Sequence, residues 1–169
     1  MSDLPIHQVF AAGLLIYAAA RDVATRLIPD AVPIALLVLG VLSRLMVGWT
    51  EAGTSLLAGL LLFVILLPLA MRGWLGGGDV KLIGAMAVGL APYETWVFIM
   101  ATVFAGGVLG IAYIAGRYVV PETRVAGNTN LLRRVLAVEA WRMRRRGPLP
   151  YAVAIAVGGL IVLNTLPGV

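Results

Sequence analysis

The chain has no cysteine. That removes disulfides, thiolate metal sites and a cysteine nucleophile at once. Its single histidine, His7, at the very start of the first span, rules out a multi-histidine metal site and argues against a histidine-based triad. Charge is scarce as well. Only 12% of the 169 residues are Asp, Glu, Lys or Arg, against 61% hydrophobic, and the mean hydropathy is +0.98. Soluble domains carry about 25% charged residues. The composition therefore points to an all-α polytopic membrane protein. At ~20 apolar residues per span, there is room for about six transmembrane helices with short links. The whole chain, 1–169, is read as a single membrane domain. The first apolar run lacks a basic flank and a small-residue cleavage site, so it reads as a retained span.

The apolar runs place spans at about 6–22, 31–47, 53–71, 80–90, 95–114 and 149–166. A longer basic segment, 117–147, precedes the last. Pro33 falls in the first turn of its span, where a missing N–H costs least. The fourth span is short and rich in Gly and Ala, which lets helices approach closely in lipid. Within 117–147, Asn130 is expected to cap an interfacial helix. Leu131, Leu132, Val135, Leu136 and Val138 would form its apolar side. Arg133, Arg134 and the cluster Arg142 to Arg146 would face anionic headgroups. A solvated basic loop is the equal alternative; nucleic-acid binding has no domain to carry it.

Lys and Arg set the orientation. Arg21 and Arg26 lie in the first link, Arg72 and Lys81 in or beside the third, and Arg117, Arg124, Arg133, Arg134, Arg142, Arg144, Arg145 and Arg146 in the fifth. The second and fourth links carry Glu51 and Glu94, and the N-terminal tail carries Asp3. The first, third and fifth links are thus expected in the cytoplasm, with both termini outside. Arg44 breaks the pattern and is expected to snorkel to the far interface. Trp49, Trp74 and Trp96 read as interfacial anchors.

An ionisable group at the edge of a membrane span is costly and marks a functional site by default. Two carboxylates qualify. Asp22 closes the first span, and Asp79 opens the fourth in Gly76-Gly77-Gly78-Asp79-Val80-Lys81-Leu82. The topology sets both at one membrane depth. Two carboxylates that share a proton form an acid/base pair, one activating water while the other protonates a carbonyl or leaving amine. Peptide hydrolysis without a metal or cofactor is the reaction such a pair serves best. Gly76 and Gly78 have no Cβ, so a substrate backbone can come close. Lys81 reads equally as a site group or as a positive-inside residue. Asp30 reads first as an N-cap of the second span, and second as an acid that binds a basic substrate segment. Asp22 could instead pair with Arg26 one turn on, and Asp79 could be only a cap.

Gly76-Gly77-Gly78-Asp79 resembles the G-x-G-D motif of aspartyl intramembrane proteases. With Val80-Lys81-Leu82 it is similar to the type IV prepilin peptidases in particular. Asp22 followed by Ile28-Pro29-Asp30 resembles their other motif. Gly147-Pro148-Leu149-Pro150-Tyr151-Ala152, with Gly158, resembles their last span. The resemblance implies an inner-membrane enzyme that cuts the basic leader of a prepilin or pseudopilin at the cytoplasmic face, with Asp22 and Asp79 as catalytic residues. The cysteine-containing insert of the larger members is absent. The chain resembles the short form of tight-adherence (Flp-type) pilus systems, and N-methylation is not predicted. Two alternatives remain: a presenilin- or signal-peptide-peptidase-like protease of other membrane peptides, and a small proton-coupled transporter. Asp22 follows Arg21, not the tyrosine of the former group. Both acids lie at one edge, which disfavours the latter.

Overall fold

The structure, a computed structural model, describes residues 6–119, 131–145 and 147–165. The described residues form seven helices and no strand. They are α1 (Ile6–Thr25), α2 (Ala31–Val47), α3 (Trp49–Met71), α4 (Gly77–Val88), α5 (Pro92–Val119), α6 (Leu131–Arg144) and α7 (Tyr151–Thr165). α3 and α5 are long and apolar enough to cross a membrane, and α2 and α7 are shorter apolar helices. Asn130, Glu122, Arg124, Arg146 and Asp3 lie outside the described residues, as do the side chains of Leu131, Leu132 and Arg133.

The element ends follow local chemistry. α3 closes in a Schellman motif: Trp74 N–H donates to Leu69 O and Gly73 N–H to Ala70 O, with Gly73 left-handed at φ 73°. Glycine takes that conformation without a Cβ penalty. α5 opens on Pro92, and the Glu94 carboxylate accepts the Ala91 N–H at 2.7 Å, a return bond that satisfies a donor the helix leaves orphaned.

Three boundaries differ from the sequence reading. The expected link 48–51 shrinks to Gly48, because Glu51 reaches back to Arg44 at 2.8 Å and the Ala52 N–H bonds Gly48 O, which starts α3 early. The glycines expected as a loop begin α4 instead: Gly76 is extended and accepts the Val80 N–H, so Gly77 and Gly78 occupy the first turn. α5 runs on to Val119. Arg44 does not snorkel. It is buried, with Nε on Ser55 Oγ at 2.9 Å and Nη2 on Glu51, and so ties α2 to α3.

α4 is the centre of the bundle. Residues Leu82 to Val88 are all buried, packed against α2, α3, α5 and α7. Small residues allow this. A Cβ at Gly59 of α3 would lie 2.9 Å from Gly84 O, and one at Gly158 of α7 would lie 2.8 Å from the Thr102 N of α5. These pairs of helices touch at the backbone, the close approach that apolar solvent rewards with dispersion contact. The outward faces of α3 and α5 carry Leu57, Leu60, Leu61, Val64, Ile65, Val103, Phe104, Val108 and Ile111, all exposed. Such rows suit acyl chains, not water. Trp49, Trp74 and Trp96 are exposed at helix ends, as expected of interfacial anchors.

One end of the bundle collects the first, third and fifth links. Lys81 bonds Asp30 at 2.7 Å, and Arg26 bonds Glu139 of α6. A helix, α6, occupies the basic segment, and its charged residues are disposed differently from expectation. Glu139 is buried against the bundle, and Arg142 turns inward to bond Glu139 at 3.1 Å and the Val23 carbonyl at 2.8 Å. Leu136 and Trp141 are exposed, with the Arg145 guanidinium 4.8 Å over the Trp141 ring. The one buried carboxylate of Glu139 is thus shared between two arginines, with a charge-assisted hydrogen bond to each.

Candidate active site

Asp22 sits in the last turn of α1 and is buried. Its Oδ2 accepts the Ala152 N–H at 3.2 Å. That N–H is one of the orphan donors at the start of α7, where the helix dipole favours an anion. The Asp22 carboxylate makes no hydrogen bond or ion pair with the Arg26 guanidinium, so a simple side-chain pair one turn apart does not describe it. Arg26 instead donates to Glu139 and to the Tyr113 hydroxyl at 3.4 Å, and Tyr113 in turn donates to Glu139.

Asp79 sits in the first turn of α4 and is also buried. With Gly76 as N-cap it is the third helical residue, the place from which a capping box would reach back to the Gly76 N–H. Asp79 Oδ2 lies on that side, beside Gly76. Oδ1 is buried without a partner. An unsatisfied buried acceptor costs roughly 1–3 kcal/mol, so capping alone does not account for the residue.

The glycines make room. A Cβ at Gly76 would lie 2.6 Å from Asp79 Oδ2, closer than real contacts allow. A Cβ at Gly78 would lie 3.3 Å from the Ile28 side chain, which lies between Asp22 and Asp30 in sequence. Gly76 thus clears the carboxylate, and Gly78 lets the link between α1 and α2 settle on the start of α4. The charge of Asp22 acts on Asp79, and that of Arg26 acts on both. The two acids expected from the sequence come to one end of one bundle from helices more than fifty residues apart in the chain.

Asp30 and Lys81 stand aside from this pair. Asp30 is at the N-cap position of α2 yet makes no side-chain cap bond, which corrects the first reading of it. Its carboxylate goes to Lys81 in an exposed ion pair. Both border an apolar groove of about 660 Å³ between α2, α3 and α4, lined further by Pro33, Leu60, Phe63 and Gly84. A second groove, about 460 Å³, runs between α3, α5 and α7, and its walls include Leu75, Ile83 and Tyr151. Among the described residues no three His, Asp or Glu side chains cluster as metal ligands would.

Sequence reasoning missed Tyr113, Glu139 and the Ala152 N–H as neighbours of the site, and it took Arg26 as a link charge or as a partner of the Asp22 side chain. An acid amid the arginines from Arg133 to Arg146 was the available signal for Glu139. The spacing of Arg26 four residues after Asp22 marked it as a neighbour of that acid, but not as a partner of Glu139.

A model of the type IV leader peptidase family matches residues 9–111. That region contains Asp22, Asp79 and the glycines between them. No curated protein and no solved structure matches the chain. A match over more than half of the 169 residues, on a helical bundle with exposed apolar faces, identifies the chain as a member of the type IV leader peptidase family, membrane-associated peptidases.

Proposed function

We propose that the chain is an aspartyl endopeptidase of the bacterial inner membrane. It spans the bilayer about six times and removes the leader of Flp-type prepilins at the cytoplasmic face. One observation supports the reading: two buried carboxylates lie at the end of the bundle where the basic links gather, the charge of one acts on the other, and Asp79 Oδ1 has no hydrogen-bond partner.

The chemistry follows from sharing one proton between two acids. The ionised carboxylate takes a proton from water, and the water oxygen attacks the carbonyl carbon of the bond to be cut. The protonated carboxyl gives its proton to the carbonyl oxygen, leaving a neutral tetrahedral diol. Collapse re-forms the carbonyl, moves a proton to the amide nitrogen and breaks the C–N bond. The products are a leader carboxylate and a free amine. Asp79 Oδ1, having no other partner, is the oxygen that faces the reacting water or carbonyl. Both acids lie at one end of the bundle, which suits hydrolysis at an interface better than a relay of protons across the bilayer.

The test is direct. Purified protein is mixed with candidate prepilins and the products are read by mass spectrometry. One cut at the leader junction is expected with the native chain, and none with Asp22→Asn or Asp79→Asn. Equal cleavage of unrelated transmembrane peptides that have no leader would favour a broader intramembrane protease instead.

A further inference from the structure

Arg26 is the first residue after α1, and its backbone is left-handed, at φ 57°. Its N–H donates to the Asp22 carbonyl at 2.9 Å, which closes the helix in an αL motif. Gly73 has the corresponding left-handed place at the end of α3. Arginine carries a Cβ into a conformation that disfavours one. A glycine here would close the helix more easily but would bring no side chain.

That side chain is held from one side only. Nη2 is fixed by Glu139 of α6 and Tyr113 of α5. Nε and Nη1 are buried and have no partner, so most of the guanidinium's donors are unused. Leaving charged donors unmet inside a protein is expensive. The charge of Arg26 acts on both Asp22 and Asp79. Nor does Glu139 cancel it, since that one carboxylate is shared with Arg142. The group Arg26, Glu139 and Arg142 therefore keeps one net positive charge. Asp22 and Asp79 with a single shared proton carry one negative charge, so the five residues together are neutral.

We propose that Arg26 is a further catalytic residue of this chain. The unheld edge of its guanidinium donates to the carbonyl oxygen of the bond being cut, through the lone pair that the protonated aspartate does not use. As that oxygen gains negative charge, a fixed and desolvated donor stabilises it more than it stabilises the bound peptide. Glu139 and Tyr113 are the positioning residues that aim it. This role rests on the peptidase reading above.

Steady-state cleavage of a prepilin by the full-length protein in liposomes tests it. Arg26→Gln is expected to lower kcat by about 100- to 1,000-fold, the usual loss of one such donor, with KM changed by less than about threefold. Arg26→Gly suits the left-handed backbone, so it folds, loses kcat likewise, and regains about tenfold or more when methylguanidinium is added. Glu139→Gln, which keeps the guanidinium, loses at least about tenfold less than Arg26→Gln. Near-native activity of Arg26→Gly overturns the role. So does a loss that methylguanidinium does not restore and that Glu139→Gln matches, because Arg26 would then serve only to anchor α6. If Asp79→Asn is dead while Arg26→Gly is active, the role fails and the peptidase reading stands. If the native chain cuts no prepilin, both fall.

Discussion

Gly76→Ala separates activity from stability. The Gly76 backbone lies at φ −67° and ψ 139°, a conformation open to alanine. Folding therefore gains slightly, because alanine narrows the unfolded ensemble by about 0.4–1 kcal/mol. Losing a glycine N-cap for alanine offsets part of that. The folded state meets one obstacle. The new Cβ would stand 2.6 Å from Asp79 Oδ2, whereas ordinary contact begins at 3.4 Å. The carboxylate must retreat by the difference, 0.8 Å. The obstacle is the end of a side chain and not backbone, so rotation relieves it at little cost in stability. Catalysis is less forgiving, because a misplacement of ~1 Å in a catalytic group costs on the order of 100-fold, or about 2.7 kcal/mol in the barrier. Gly76→Ala should thus lower kcat about 100-fold while its thermal unfolding in detergent stays within a few degrees of native. Gly77→Ala is the control, since a Cβ there meets nothing within 4 Å; it should keep kcat within about threefold. Cleavage by Gly76→Ala at more than a third of the native rate would refute the argument. So would an equal loss in both variants.

Gly158→Leu should prevent stable assembly, because even a Cβ there would press on the Thr102 backbone; the fraction recovered as a monodisperse peak after detergent extraction is the measure. Arg44→Ala leaves Ser55 buried without its donor, so stability should drop by about 1–3 kcal/mol while kcat of the folded fraction stays near native. Lys81→Ala and Asp30→Ala should each cost no more than about 1 kcal/mol, since the pair is exposed and screened. If Asp30 also receives the leader, Asp30→Asn should raise KM at least twofold for a basic leader and leave KM unchanged for a neutral one; a KM that Asp30→Asn leaves unchanged for both leaders would exclude that role.

The sequence revealed what its physics makes conspicuous. In a chain this apolar, Asp22 and Asp79 stand out because each interrupts an apolar run, and the glycines before Asp79 signal close approach. Charge bias placed three links at one end, and the Asp30–Lys81 and Arg26–Glu139 bonds join those same links. What stayed hidden depends on contacts between distant elements. Asp30 has the residue type and place of an N-cap, yet a lysine from α4 captures its carboxylate. Arg142 belongs by sequence to a surface cluster, yet the acid it pairs with, Glu139, is buried, and it follows that acid inward. The left-handed turn at Arg26 has no glycine or asparagine to announce it. Arg44 looked like an interface charge because its partners, Ser55 and Glu51, lie on the next helix.

The claim beneath all of this is that Asp22 and Asp79 act as one unit. Residues that work as a unit are strongly non-additive: removing either removes nearly everything the pair does. Single-turnover cleavage of one prepilin by the native chain, Asp22→Asn, Asp79→Asn and the double variant measures it. The account expects the three variants to share the same residual rate. A double variant slower than either single by the product of their separate losses would show two independent groups, and would contradict the account.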